Sequence, residues 1–342
     1  MNKLRVLVLM HESLVPPDSL EGYSESQILE FKTEFDVVHA LRKMGHDVLP
    51  LGVSDELSPI RRALIEWQPA IAFNLLEEFH GVGVYDHHVV SFLELMRQPY
   101  TGCNPRGLLL AHDKSLAKKI LAYHRIHTPK FFVVPIGRVT RRPKSIAFPL
   151  LVKSVSEEAS LGITESSIVE DDVALSKRVA AIHEELRTDA LVESYIPGRE
   201  LYLSICGNRR LTTFPIWELR FTKAAEGQPQ IATARVKWDQ EYQEQLGVKT
   251  EAAKHLGSEL EARIVSVCKR VFRALSLNGY ARIDMRLTEQ GDVYVLEANP
   301  NPNLSRGEDF AESARLAGVD YKSLLRRIIR LGLAYPAEWR RV

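Results

Sequence analysis

Apolar residues run unbroken from Val6 to Met10, so Arg5 to Met10 reads as a buried strand. Beyond a polar loop, Ile28, Phe31, Phe35, Val38 and Leu41 recur at helical spacing, and Gly45 offers a residue able to end that helix. Asp47-Val48-Leu49 begins a second strand, 60–67 reads as a helix, and Ile71 to Asn74 reads as a third strand. Strands alternating with helices predict a parallel sheet covered by helices. Loops at the carboxyl ends of such strands carry ligands. That places His11, Glu12, Glu77, Glu78 and His80 either against a ligand or on ordinary surface.

Asn104 before Pro105 offers an N-cap and a first-turn proline, and the first domain boundary is set there. A helix over 113–123 follows, then strands at 131–134 and 150–154, a helix over 172–186, and strands at 190–195 and 200–205 closed by a Gly207-Asn208 turn. The basic stretch 138–144 reads as a solvated loop. Residues 222–256 are polar with few apolar positions in register, and read as a long mobile loop of the kind that forms a lid. A helix over 259–275, a hairpin, and helices near 311–316 and 321–331 complete the chain. The expected domains are an N-terminal parallel α/β unit at 1–105, a central α+β unit at 106–197, and a C-terminal α+β unit at 198–342.

A chain of 342 residues exceeds one ordinary core, which agrees with several domains. Its 45% hydrophobic and 26% charged residues fit a soluble globular enzyme. A formal charge of +1 gives no global attraction to nucleic acid or anionic membrane, so neither partner is expected. Cys103, Cys206 and Cys268 form no CxxC pair, which argues against a disulfide framework or a thiolate zinc site. The opening apolar run is too short for a signal peptide, and no stretch approaches the about 20 apolar residues of a membrane span. The expected location is the cytoplasm.

The strongest local pattern lies in 280–299. From Ala281 to Leu287 apolar residues hold odd positions and charged residues even ones; across 293–299 Tyr294, Leu296 and Ala298 share one face, Glu297 and Asn299 the other. Pairing Thr288 with Val293 sets Asp284 opposite Glu297, Arg282 opposite Asn299, Met285 opposite Leu296 and Leu287 opposite Tyr294. Opposed carboxylates repel unless neutralised. Two readings follow: oxygen ligands for Mg²⁺, or an ion-pair ladder with Arg282 and Arg286 on the surface. The Asn299-Pro300-Asn301-Pro302-Asn303 turn favours the first, because it presents amides rigidly beside that face.

Lys153 ends an apolar strand and enters a stretch of small residues reaching Gly162. Such a lysine can hold phosphate with its ammonium and neighbouring N–H groups, or simply be solvated. No GxxxxGK[ST] loop is present, and Gly81-x-Gly83 lacks the context of a dinucleotide fingerprint. The strand-turn-strand at 191–200 could read an adenine edge with its backbone while Glu200 accepts from ribose hydroxyls, or be an exposed hairpin.

In order, several pieces resemble the ATP-grasp superfamily, and within it the D-alanine–D-alanine ligase family, from residue 70 to residue 335. They are Phe73-Asn74-Leu75-Leu76, His80-Gly81, Asp86, Pro99-Tyr100-Thr101-Gly102-Cys103, Asp113-Lys114 and Pro149-Leu150-Leu151-Val152-Lys153. Then come Glu157, Ser160-Leu161-Gly162, Val192-Glu193, Gly198-Arg199-Glu200, Ala234-Arg235-Val236-Lys237-Trp238, Arg282-Ile283-Asp284 and Leu296-Glu297-Ala298-Asn299. The resemblance implies an α/β ATP-grasp fold and an ADP-forming ligase that joins a carboxylate to an amine through an acyl-phosphate. It implies that Lys114 and Lys153 contact ATP phosphates beneath a loop bearing Glu157 and Ser160, that Glu193 and Ile196 meet adenine, and that Glu200 meets ribose. Lys237 would reach the γ-phosphate from the lid, and Arg282 would stabilise the tetrahedral intermediate. Asp284, Glu297 and Asn299 would hold two Mg²⁺ ions, for which Mn²⁺ can substitute. A homodimer acting on small amino-acid or peptide substrates is the family expectation.

Three segments depart from the family. Its Gly-Gly-x-Ser-x-Glu loop, whose Glu holds the first D-alanine's ammonium, is replaced by Met10-His11-Glu12-Ser13-Leu14-Val15-Pro16-Pro17. Its Gly-Glu-Asp-Gly segment stands here as Val84-Tyr85-Asp86-His87, and its closing segment as Leu304-Ser305-Arg306-Gly307-Glu308. The nucleotide machinery is kept while both amino-acid pockets are rewritten, so the expected substrate is an amino acid or small peptide other than D-alanine. Glu12, His80, Asn301 and Arg306 are the candidate substrate residues. The alternatives are a genuine D-alanine–D-alanine ligase, an ATP-grasp kinase or a ligase for a non-amino-acid acceptor, and a non-catalytic nucleotide-binding protein.

Overall fold

A computed structural model describes residues 3–156, 162–223, 231–233, 235–236 and 239–340. In its first sheet, β1 (Arg5–His11) lies between β2 (Asp47–Val53) and β3 (Ile71–Asn74), parallel to both. Val6 to Met10 are fully buried because this sheet is covered on both faces. Leu7 and Leu9 meet Ile60 of α3 (Ser58–Glu66) and Val89, Val90 and Leu93 of α4 (Asp86–Leu95). Val6, Val8 and Met10 meet Val37 and Leu41 of α2 (Lys32–Lys43) and Leu324 and Ile328 of α11 (Tyr321–Leu333). The last long helix therefore closes the first sheet. Gly332 permits that approach, since a Cβ there would meet the Tyr100 carbonyl at 2.2 Å.

The single helix expected across 28–41 is two, α1 (Glu25–Glu30) and α2. Phe31 leaves helical geometry between them (φ −115°, ψ 19°) and sets its ring edge-on to Tyr23.

The second sheet is antiparallel, in the order β4 (Phe131–Val134), β7 (Ala190–Ser194), β5 (Leu150–Ser154), β6 (Ile168–Val169). It has its own core, in which Leu175, Val179 and Ile182 of α7 (Asp172–Glu185) cover Leu150 and Val152.

The third sheet runs β11 (Val248–Ala252), β10 (Trp217–Phe221), β8 (Arg199–Gly207), β12 (Gly279–Leu287), β13 (Val293–Pro300), with β9 (Leu211–Thr213) beside β8. Cys268, Val271 and Phe272 of α9 (Ser258–Ala274) pack on Leu203, Ile283 and Met285. Leu108 of α5 (Pro105–His112) and Ala117 and Leu121 of α6 (Lys114–Tyr123) join the same cluster. Residues 106–123, grouped by sequence with the central unit, thus share a core with the third sheet. Both helices carry side-chain caps: Asn104 accepts from Gly107 N and Asp113 from Leu116 N, each at 2.9 Å.

The expectation of a loop over 222–256 is corrected in part. α8 (Gln240–Leu246) starts at the Asp239 cap and ends at left-handed Gly247, and β11 pairs with β10 from Val248 to Ala252. The polar surface of this segment hid both elements, because an edge strand and a short helix on the rim bury little.

The first and third sheets are tied by Asn301. Its Oδ1 accepts from Cys103 N at 2.8 Å and its own N–H reaches Tyr280 O at 3.2 Å, in a left-handed backbone (φ 51°). Asn tolerates that geometry better than most residues. Asn301→Ala is expected to lower stability by about 1–3 kcal/mol, through a lost bond to a part-buried N–H and added backbone strain. Urea unfolding measures this; no change in the midpoint would refute the tie.

Candidate active site

A cleft opens between the second and third sheets. Its walls are Lys153 of β5, Glu193 of β7, Ile196, Glu200 and Tyr202 of β8, Asp284 and Arg286 of β12, and Leu296 and Glu297 of β13. Six sequence-predicted residues therefore line one cavity: Lys153, Glu193, Ile196, Glu200, Asp284 and Glu297.

The hairpin explains the acidic floor. Arg282 pairs with Asn299, Ile283 with Ala298 and Asp284 with Glu297, as the alternation predicts. Beyond Asp284 the register slips: Met285 pairs with Val295, not Leu296, and Leu287 with Val293, not Tyr294. The cause is a β-bulge at Leu296. It lets Val295 and Met285, both fully buried, pack in the core while Leu296 turns into the cleft beside Glu297. Bulges re-aim side chains beside active sites in this way.

Asp284 is 5% exposed and held from two sides. Arg282 donates to it twice, Nε to Oδ1 at 2.8 Å and Nη2 to Oδ2 at 2.9 Å, and Asn299 Nδ2 donates to Oδ2 at 2.9 Å. Arg282 also lies 3.5 Å from Asp309, at the start of α10 (Asp309–Leu316), and its guanidinium sits 4.6 Å above the Tyr202 ring. Burial disfavours its charge, but Asp284 and Asp309 outweigh that and hold its pKa above the ordinary value. Arg286 pairs with Glu200 at 2.8 Å, and Tyr202 donates to the other Glu200 oxygen at 2.9 Å. The ion-pair ladder is therefore present in part, but inside the cleft and shared with β8 rather than on the surface.

On the β7 side of the cleft, Glu193 is 1% exposed between two lysines. Lys153 Nζ lies 2.9 Å from Oε1 and Lys118 Nζ 2.9 Å from Oε2. Burial opposes ionisation of Glu193, yet the two ammonium groups keep its pKa below the usual carboxylate value. Sequence reasoning missed Lys118, although it stands four residues after Lys114 on the buried face of α6. Arg286, Tyr202 and Asp309 were also missed as site residues. Arg286 was read only as a possible partner on an exposed face.

Lys114 is buried in the first turn of α6, and its N–H donates to Val155 O at 3.3 Å, where the small-residue stretch begins. Glu157, Ser160 and Lys237 lie outside the described residues. The candidate substrate residues are not in the cleft wall. Glu12 is exposed beside the His11–Glu78 pair (3.4 Å), and His80 is exposed in a left-handed turn (φ 60°). Arg306 covers the Tyr321 ring at 4.1 Å and stands 3.7 Å from Asp36, while Asn301 is committed to Cys103.

The donor set on the hairpin fits a hard divalent cation. Its metal-facing atoms would be oxygens of two carboxylates and one amide, and among the described residues no group of three or more His, Cys, Asp or Glu side chains is arranged to hold a metal ion, so the rest of the shell would come from elsewhere. Two carboxylates and an amide leave positions open, which suits Mg²⁺, an ion that keeps waters and phosphate oxygens in its shell.

Two antiparallel sheets closing on such a cleft, behind a parallel N-terminal sheet, form the ATP-grasp fold of ADP-forming ligases that make C–N bonds. The D-ala D-ala ligase C-terminus family matches residues 120–330, and the chain belongs to that family. It is similar to an uncharacterized protein of Sinorhizobium fredii, 30% identical over 86% of this chain and 85% of that one. A D-alanine–D-alanine ligase of Desulforudis audaxviator is 28% identical over 91% of this chain and 95% of its own length. Among solved structures, the D-alanine–D-alanine ligase of Bacillus anthracis complexed with ATP superposes with a TM-score of 0.75 at 26% identity, covering 96% of this chain and 97% of that one. Among the described residues no helix is long and apolar enough to cross a membrane.

Proposed function

We propose that the protein is an ATP-dependent carboxylate–amine ligase acting on an amino acid or small peptide other than D-alanine. The observation that carries this reading is one cleft lined both by a lysine-held carboxylate, Glu193, and by the opposed Asp284 and Glu297, with Arg282 bound to Asp284. Lys153 and Lys114 would hold the phosphates of ATP, with Ile196 and Glu193 at the base and Glu200 at the ribose. Asp284, Glu297 and Asn299 would hold two Mg²⁺ ions, whose charge offsets that of the transferring phosphate when bound.

The reaction has two displacements. An oxygen of the substrate carboxylate bonds to the γ-phosphorus as the bond to ADP breaks. The acceptor nitrogen then bonds to the acyl carbon and gives up a proton, and the C–O bond to phosphate breaks with its electron pair, the departing phosphate carrying that proton. Negative charge collects on the acyl oxygen in between, and Arg282 would be the cation that meets it. Its contacts to Asp284, Asp309 and the Tyr202 ring hold the guanidinium in place beforehand, which lowers reorganisation at the reacting atoms.

The departures from the family support a different substrate. Pro16-Pro17 stiffens the loop after β1, and Glu12 is solvent-facing rather than enclosed. Little or no phosphate release is expected with D-alanine alone, against robust release with another amino acid or dipeptide in a screening panel. Saturable turnover on D-alanine as sole substrate would establish the runner-up, a genuine D-alanine–D-alanine ligase, which the names of the Desulforudis and Bacillus relatives favour.

A further inference from the structure

Lys118 is absent from the wall of the cleft yet fully buried behind it. One contact is the ion pair to Glu193 Oε2 at 2.9 Å. Another is a hydrogen bond to Leu296 O at 3.1 Å, the carbonyl at the β-bulge. A single ammonium thus joins α6, β7 and β13, elements on both sides of the cleft. Burying an ammonium is costly unless its protons are matched. These two acceptors take two of its three protons, and the Glu193 charge offsets the burial.

We infer that Lys118 is a positioning residue that sets nucleobase selection by fixing the Glu193 carboxylate. The inference rests on the ATP-dependent reading above. An ionised carboxylate only accepts hydrogen bonds, through about four lone-pair sites. The two lysines take one face of each oxygen, and the remaining sites suit an exocyclic amino group, as on adenine. They repel a ring carbonyl oxygen, as on guanine. Lys153 alone would leave Oε2 free to rotate, and loss of one of two cations would make protonation easier. A protonated carboxyl donates, so it pairs with the carbonyl that the ionised form rejects. Removing Lys118 should therefore relax the choice of base more than it weakens the grip on phosphate.

The test is calorimetric titration of the full chain with ATP and with GTP, each with Mg²⁺. Wild type is expected to favour ATP by about 100-fold or more. Lys118→Met should compress that ratio to within about tenfold, and Lys118→Arg should restore much of it. If Lys118→Met fails to fold, Lys118→Gln, which keeps a donor for Leu296 O, should give the same compression. In the double variant with Glu193→Gln, the ratio should match Glu193→Gln alone, because Lys118 acts through that carboxylate. An unchanged ATP/GTP ratio in the Lys118 variant, or additive losses in the double variant, overturns the inference. Wild type that binds neither nucleotide overturns instead the ligase reading on which it rests.

Discussion

Glu297→Ala is expected to cut turnover by about 1000-fold or more while the protein stays folded. The reason lies in the division of labour on the hairpin. Asp284 is fastened by Arg282 and Asn299. Glu297 stands directly opposite it, on the strand that the bulge re-aims. A hard cation held on this face would draw on both carboxylates, and with one removed it would be held mostly by water. Glu297 also adds negative charge near Lys153, where it helps keep that ammonium protonated against burial. The measurement is phosphate release at saturating substrate across a Mg²⁺ titration, with thermal melting to confirm the fold. Wild-type turnover that persists in EDTA would remove the metal assignment altogether.

Much of this cleft was legible in the sequence, and the reasons for the rest are specific. Val6 to Met10 could be read because a doubly covered parallel strand is apolar at every position. Asp284 opposite Glu297 could be read because charged and apolar residues alternate without a break up to that pair. The bulge at Leu296 could not. Val293 and Val295 are as apolar as Tyr294 and Leu296, so either alternation satisfies the core and only packing against Met285 decides. Lys118 escaped for a related reason. A lysine on a helix reads as solvated, and its partner Glu193 lies 75 residues away on a strand of another sheet. The α11 helix packing on the first sheet carries no local mark either; its stripe is that of any amphipathic helix.

Lys153→Met is expected to weaken ATP binding about 30- to 100-fold, the range of one lost charge-assisted contact. Lys153 lines the cleft and is 5% exposed, so its ammonium meets a ligand with little intervening water. Burial lowers its pKa, but Glu193 and Glu297 more than offset this, and the group remains a cation at neutral pH. Two consequences of its removal can be separated. Loss of the phosphate contact weakens ATP and leaves adenosine nearly unaffected. Loss of its ion pair with Glu193 would weaken both, because the carboxylate proposed to meet the base would then be held by Lys118 alone. The proposed role makes the first effect dominant, so adenosine affinity should fall by less than about tenfold. Calorimetry with both ligands on wild type and variant decides the matter. Equal fractional losses for ATP and adenosine would show that Lys153 serves Glu193 only and that the phosphates are held elsewhere, and equal ATP affinity in the two proteins would remove both roles.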